Sequence, residues 1–215
     1  MTRLPKVVNP EGRWPVLVAL VGVGGITLSL PHSLVLGPRW LLLAIVAVLS
    51  VPATLAHRAG NHAIDATLGY VISGVVTSAL AGSLALLIMR LPSKAESPTS
   101  LLRAATLLWV TNILVFAIWY WRLDAGGPHR RAQRLKHTAG AFFFPQMMDG
   151  APIENPEAWS PRFVDYLFLA FNTSTAFSPT DTAILSRWAK VLCMFQALIS
   201  LSIVAILASR AVGML

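Results

Sequence analysis

Charged residues are scarce in this chain of 215 residues: they make up 12% of it, whereas a soluble domain carries about 25%. Hydrophobic residues account for 55%, and the mean hydropathy is +0.65. These values exclude a soluble globular enzyme, a disordered chain and a coiled coil. They predict an all-α polytopic membrane helix bundle in contact with the lipid bilayer.

Cysteine and acidic residues are also few. The single cysteine, Cys193, lies within an apolar run, so neither an internal disulfide nor a cysteine-based metal site is expected. Nine Asp and Glu stand against 17 Lys and Arg, which leaves a net charge of +8. We assign this excess to cytoplasmic loops beside anionic lipid and expect no nucleic-acid partner, because basic and aromatic residues do not alternate.

Uncharged stretches of bilayer length define the predicted spans. A hydrocarbon core requires about 20 apolar residues per helix. The first such stretch follows Arg13 and is interpreted as a retained helix, since no signal-peptide cleavage pattern follows it. Five spanning helices are predicted, at 14–31, 40–56, 66–89, 104–121 and 191–209.

The distribution of polar residues divides the chain into three parts. Residues 1–121 form a four-helix transmembrane region, 122–162 a polar connecting loop, and 163–215 a half-helix with the last span. The loop is basic in its first half and acidic and proline-rich in its second, with Asp149, Glu154 and Glu157. Within it, the short apolar run 141–144 could lie on the membrane interface.

The stretch 166–180 is too short and too polar for an ordinary span. It has 15 uncharged residues between Asp165 and Asp181, about 22 Å as a helix, against a core of roughly 30 Å. Pro179 disfavours helical geometry at Ser178. We therefore predict a re-entrant half-helix ending near Phe177 and then a non-helical link. A short sixth span is the alternative.

Polar groups in this segment indicate an ion pathway. Hydroxyls and freed carbonyls can replace the hydration water of an ion, and non-helical backbone at membrane depth is tolerated where it lines water. The leading hypothesis is a small ion channel-like or transporter-like protein for small monovalent ions, built from several subunits. The predicted lining residues are Asn172, Thr173, Ser174, Thr175, Ser178, Asp181 and Gln196.

A second hypothesis is a non-transporting scaffold or accessory subunit. Gly74, Ser78 and Gly82 recur every four residues in the third span, and small residues on one face let helices approach closely. This face is expected to pack against a helix within the chain or in a partner, including a second copy. No enzyme is expected, because the five spans hold essentially no ionisable groups.

Other polar residues receive structural interpretations. Asn112 and Gln196 lie inside spans, where amides usually bond to a neighbouring helix. His57, His62 and Asp65 lie close together in sequence, but a metal needs three or four converging ligands. We therefore expect interface residues at this position, with no metal site and no cofactor.

The positive-inside rule sets the predicted orientation. With a cytoplasmic N-terminus and a re-entrant segment, 12 Lys and Arg lie inside and five outside; with six spans, the numbers are 11 and six. Both arrangements predict a multi-pass protein of the cell (inner) membrane with its N-terminus in the cytoplasm.

Two resemblances concern the C-terminal region. The order of Tyr166, Phe168, Thr173, Thr175 and Asp181 is similar to the pore region of potassium-channel-like proteins, but the filter glycines are absent, so potassium selectivity is not implied. The segment also resembles the signature of an uncharacterised bacterial multi-spanning family, the domain of unknown function 1345. That resemblance implies a bacterial inner-membrane protein and no activity. Its matching residues are Asp165, Tyr166, Leu167, Phe168, Phe171, Thr175, Phe177 and Asp181.

Overall fold

Helices account for nearly all the regular structure. The computed structural model describes residues 11–91, 97–132, 140–148, 150–151 and 159–212. Within these residues the protein is all-α apart from one pair of two-residue strands. The helices are α1 (Trp14–Ser29), α2 (Leu41–Arg58), α3 (His62–Arg90), α4 (Pro98–Leu123), α5 (Pro128–Ala132), α6 (Phe163–Thr175) and α7 (Arg187–Val212); the strands are β1 (Phe142–Phe143) and β2 (Ala183–Ile184).

Four helices are long and apolar enough to cross a membrane. They are α2, α3, α7, and α4 together with the turn that follows it. These helices indicate a multi-pass membrane protein. The apolar helix α1 has 16 residues, about 24 Å at 1.5 Å per residue, so its crossing of a bilayer stays a prediction.

Helices α3, α4 and α7 extend beyond the uncharged stretches that predicted them. The third begins four residues early, after Asn61, whose side chain accepts a hydrogen bond from the backbone N–H of Ile64. The fourth begins six residues early, after Ser97, which caps it in the same way through Ser100. A charged residue marks the end of apolar surface, whereas a capping residue marks the end of the helix.

The fourth helix lies at the centre of the bundle. It packs against α1 and α3, and also against α6 and α7, while α2 packs against α1 and α3. The side chains facing this core are apolar and almost fully buried, among them Val76 on α3 and Leu108 and Ile118 on α4. We call the end of the bundle at which α1 begins and α4 ends the proximal end.

Helices α6 and α7 both begin at the proximal end. Tyr166, in the first turn of α6, donates a hydrogen bond to Asp124 just after α4, and Phe142 contacts the rings of both Tyr166 and Trp188. Further along, Ser200 of α7 donates to the Ser174 carbonyl, 2.6 Å away. The two helices therefore run in the same direction, antiparallel to α4, and residues 176–186 lead the chain back to its starting end.

A short helix, α6, lies at the position of the predicted half-helix. It ends at Thr175, two residues before the expected position, and 176–182 are not helical. Its Ser174 lies beside Asn112 of α4. Each of these residues is 11 positions from the proximal end of its helix, about 16 Å, which is half of a roughly 30 Å hydrocarbon core.

One expectation about aromatic residues is corrected. The run 141–144 does not lie on the membrane interface: Phe142 is completely buried, and β1 pairs with β2 in an antiparallel ribbon. Tyr120 and Trp121 are buried as well, whereas Trp14 and Trp40 are exposed. The loops at the proximal end cover these side chains at the end of α4. The acidic residues Asp149, Glu154 and Glu157 lie outside the described residues.

Candidate functional site

Three of the seven predicted pathway residues are buried between α4, α6 and α7, and two of them, Ser174 and Gln196, belong to one hydrogen-bond network. The Gln196 side-chain amide donates to the Ala170 carbonyl at 2.7 Å and to Ser174 Oγ at 2.9 Å. Its carbonyl oxygen accepts from the Tyr120 hydroxyl, and its backbone carbonyl accepts from Asn112 at 3.3 Å. Thus both intramembrane amides bond across helices, as the sequence predicts.

The same network engages the predicted hydroxyls of α6. Ser174 Oγ accepts from Asn112 as well as from Gln196, and Thr173 donates to the Leu169 carbonyl of its own helix. Thr173, Ser174 and Gln196 have at most 1% of their surface exposed. In one chain, Ser174 and Gln196 therefore join helices to one another, whereas Thr173 bonds within α6.

The other four predicted pathway residues lie on the surface of the chain, at the end of α6 and in the link that follows. Asn172 is half-buried and donates to Thr180 Oγ1 at 3.0 Å, while Thr175, Ser178 and Asp181 are exposed. The link carries two left-handed residues that are not glycine, Phe177 and Thr180, at φ of 53° and 54°. Such a backbone is rare for a β-branched residue and indicates a constrained turn.

A second buried polar cluster lies at the proximal end and is absent from the sequence predictions. The Asp124 carboxylate is fully buried and accepts hydrogen bonds from the Ala141 N–H and the Tyr166 hydroxyl, both at 2.6 Å. Gly140 leaves room for it, because a Cβ there would lie 2.5 Å from Oδ1. One side chain thus joins α4, the loop before β1 and α6.

Arg131 supplies the positive charge of this cluster. Its guanidinium is buried, donates to the carbonyls of Trp121 and Asp124 at 2.7 and 3.0 Å, and lies 5.0 Å from the centre of the Tyr166 ring. In the sequence this residue belongs to a basic run, which is the usual pattern of a solvated loop. Only its contacts distinguish it from its neighbours.

Glu11 holds the start of α6. Both of its carboxylate oxygens accept from the Phe163 N–H at 2.9 Å, and one accepts from the Trp121 indole at 3.0 Å. A carboxylate at a helix N-terminus is stabilised by the unpaired N–H groups and the helix dipole. The segment before α1 therefore helps to position α6, more than 150 residues later.

Charged and imidazole groups from four helices also meet at the proximal end. Arg13 forms an ion pair with Asp65, and His57 Nδ1 lies 3.4 Å from the same carboxylate. The guanidinium of Arg122 packs against Gly69, where any Cβ would overlap it. The ring of His129 stacks on that of His62 with 3.5 Å between centroids. Burial, followed by the positive potential of His62 and His57, lowers the pKa of His129.

The predicted small-residue face is covered in part. At Gly82 a Cβ would meet the side chain of Leu36, so this glycine packs within the chain. At Gly74 nothing lies within 4 Å of such a Cβ among the described residues, and Ser78 is exposed. The buried residues of α3 lie at other positions than Gly74, Ser78 and Gly82, and they include Ile72, Val76 and Leu80.

Comparison of the chain with protein-family models, curated proteins and solved structures found no match. The two resemblances of the C-terminal region therefore stay predictions, as does the absence of enzymatic activity.

Proposed function

We propose that this protein forms an ion pathway in a membrane from the end of α6 and the link 176–186, with more than one copy contributing. The segment before α7 would be re-entrant: α6 enters the bilayer to about half its depth, and the link returns to the same side. Small monovalent ions are the proposed cargo, because the segment offers hydroxyls and one exposed carboxylate, Asp181.

The exposed link carries this proposal. Residues 176–178 are non-helical and exposed, and they follow α6 at the depth of Asn112, near the middle of α4. Lipid cannot hydrogen-bond to backbone groups, so irregular backbone at this depth has to face protein or water. A second copy of the chain together with a water-filled pathway would satisfy that requirement.

The proximal end is proposed to be cytoplasmic. Eight Lys and Arg residues of the described elements lie there, whereas Arg39, Arg90, Arg103 and the backbone of Arg210 lie toward the other end. Positive residues are retained on the cytoplasmic side of bilayers. The proximal residues are Arg13, Arg58, Arg122, Arg130, Arg131, Arg162, Arg187 and Lys190.

Cysteine labelling tests the re-entrant arrangement. In a Cys193→Ser background, Ser178→Cys and Ser186→Cys should both react with an impermeant thiol reagent added to the cytoplasmic side. A third variant, Thr99→Cys at the exposed start of α4, should react from the opposite side. Reaction of the first two cysteines only from the opposite side would contradict the re-entrant arrangement and would support six spans. Failure of position 178 to react from either side would contradict a water-filled pathway.

Ion flux tests the function itself. Purified protein in liposomes should conduct a small monovalent cation, and Asp181→Asn should lower the flux roughly fivefold, because a charge 4 Å away contributes about 1 kcal/mol in water. Thr175→Val should also change the flux. Thr106→Val is the matched control, since that exposed hydroxyl likewise bonds to its own helix, at 3.0 Å. Equal flux in Thr175→Val and Thr106→Val would exclude Thr175 from the pathway.

The scaffold function remains the second candidate, and the uncovered positions on α3 favour it. Gly74 and Ser78 could receive a partner helix without any rearrangement of the chain. The liposome measurement separates the two candidates, because a scaffold gives no flux of Na⁺, K⁺, H⁺ or Cl⁻ above that of empty liposomes. Such a result would overturn the pathway.

A further inference from the structure

The turn between α2 and α3 brings three potential metal ligands together. His57 lies in the last turn of α2, His62 is the first residue of α3, and Asp65 follows one turn later. Gly60, at φ of 72°, permits the tight turn between the two helices. One ligand atom from each of the three side chains lies within 4.8 Å of the other two.

Two of these side chains carry a polar atom that lacks a partner. His62 Nδ1 and Asp65 Oδ1 are buried, and neither has a hydrogen-bond partner among the described residues. The exposed fraction of Asp65 is 4%. An unsatisfied buried polar atom costs about 1–3 kcal/mol, so one on each of two residues of the same three-residue cluster points to a missing ligand.

The surrounding groups hold the ligands in the way that outer-shell residues usually do. The Arg13 guanidinium donates to Asp65 Oδ2, so Oδ1 of the same carboxylate stays without a partner among the described residues. The stacked ring of His129 restrains the imidazole of His62. In metal sites, comparable contacts fix the orientation of a carboxylate or imidazole ligand and support its affinity.

We propose that His57, His62 and Asp65 bind a divalent transition-metal ion of the zinc class. Two imidazole nitrogens and one carboxylate oxygen form a donor set that Zn²⁺ prefers, and three protein ligands leave a fourth position for water. Ligand atoms around a tetrahedral ion lie about 3.3 Å apart, given bonds of about 2.0–2.1 Å. Small rotations of the three side chains would therefore bring the ligand atoms to these distances when the ion binds. Arg13 and Arg122 add positive charge beside the site, which lowers the affinity expected for a cation.

Calorimetric titration tests the site directly. Protein purified through a tag without histidine and stripped with chelator should bind one Zn²⁺ per chain. His62→Ala and His57→Ala should each weaken binding at least tenfold, since the loss of even an outer-shell partner costs about 10–100-fold. The matched control is His32→Ala, which removes an exposed imidazole at the opposite end of the bundle and should bind like the original protein.

A spectroscopic measurement identifies the ligands independently. Co²⁺ in place of Zn²⁺ should give the visible absorption of a tetrahedral nitrogen–oxygen site, and His62→Ala should abolish it. If His62→Ala does not fold, His57→Ala decides, because the His57 side chain is 43% exposed and carries little packing. Absence of stoichiometric binding, or equal affinity in His57→Ala and His32→Ala, would overturn the site. Neither result depends on ion flux.

Discussion

Asp124→Ala is expected to lower the free energy of unfolding by about 2–6 kcal/mol. The substitution leaves the Ala141 N–H and the Tyr166 hydroxyl without their acceptor, and each stranded buried donor costs about 1–3 kcal/mol. It also leaves the buried guanidinium of Arg131 without the nearby negative charge. Denaturant titration in detergent micelles, monitored by tryptophan fluorescence, measures the loss.

Two further variants test this explanation. Asp124→Asn keeps one oxygen acceptor and should be less damaging than Asp124→Ala. Asp181→Ala removes an exposed carboxylate and should change stability by less than about 0.5 kcal/mol. If Asp124→Ala were as stable as Asp181→Ala, the cluster at the proximal end would not hold α6 and the β1 loop on α4.

Gln196→Leu is expected to cost about 2 kcal/mol and to loosen the end of α6. It removes three hydrogen bonds, to Tyr120, Ala170 and Ser174, at an average of about 0.6 kcal/mol each within a membrane. Leucine has nearly the volume of glutamine, so the loss reports hydrogen bonding and not a cavity. Unfolding by SDS in mixed micelles is the measurement.

The control for this variant lies on the same helix. The Ser202 hydroxyl donates to the Leu198 carbonyl one turn earlier, at 2.9 Å. It does not belong to the network that joins α4, α6 and α7. Ser202→Leu should therefore leave stability unchanged or raise it slightly. An equal loss in both variants would show that added apolar volume on α7, and not the broken network, destabilises the protein.

The sequence predicts the helical architecture well because the bilayer simplifies the problem. A span of apolar residues has to satisfy its backbone internally, so each long uncharged stretch becomes a helix. The predicted half-helix also follows from local chemistry: Pro179 and the polar run from Asn172 onward end α6 within two residues of the expected position. Helix ends were less accurate, because caps such as Asn61 and Ser97 lie outside the apolar pattern.

The candidate sites were harder to predict because their members are distant in sequence. Asp124 and Tyr166 are 42 residues apart, and Glu11 and Phe163 are 152 apart. Each of these residues has an ordinary local context, so no periodicity marks it. His57, His62 and Asp65 are close in sequence, yet their convergence depends on the turn angle at Gly60, which the pattern of residue types does not specify.

Local composition alone thus establishes a multi-pass helical protein with one broken segment before its last helix. Hydrophobic runs and helix-breaking residues determine structure within a few helical turns, so the amino-acid sequence alone reveals their effect. The tertiary structure determines which polar groups are buried in hydrogen bonds within the chain and which stay exposed to a ligand or partner. It buries Thr173, Ser174 and Gln196 in hydrogen bonds and exposes Thr175, Ser178 and Asp181. That division depends on the parallel placement of α6 and α7 against α4, a relation between distant elements that no local pattern encodes.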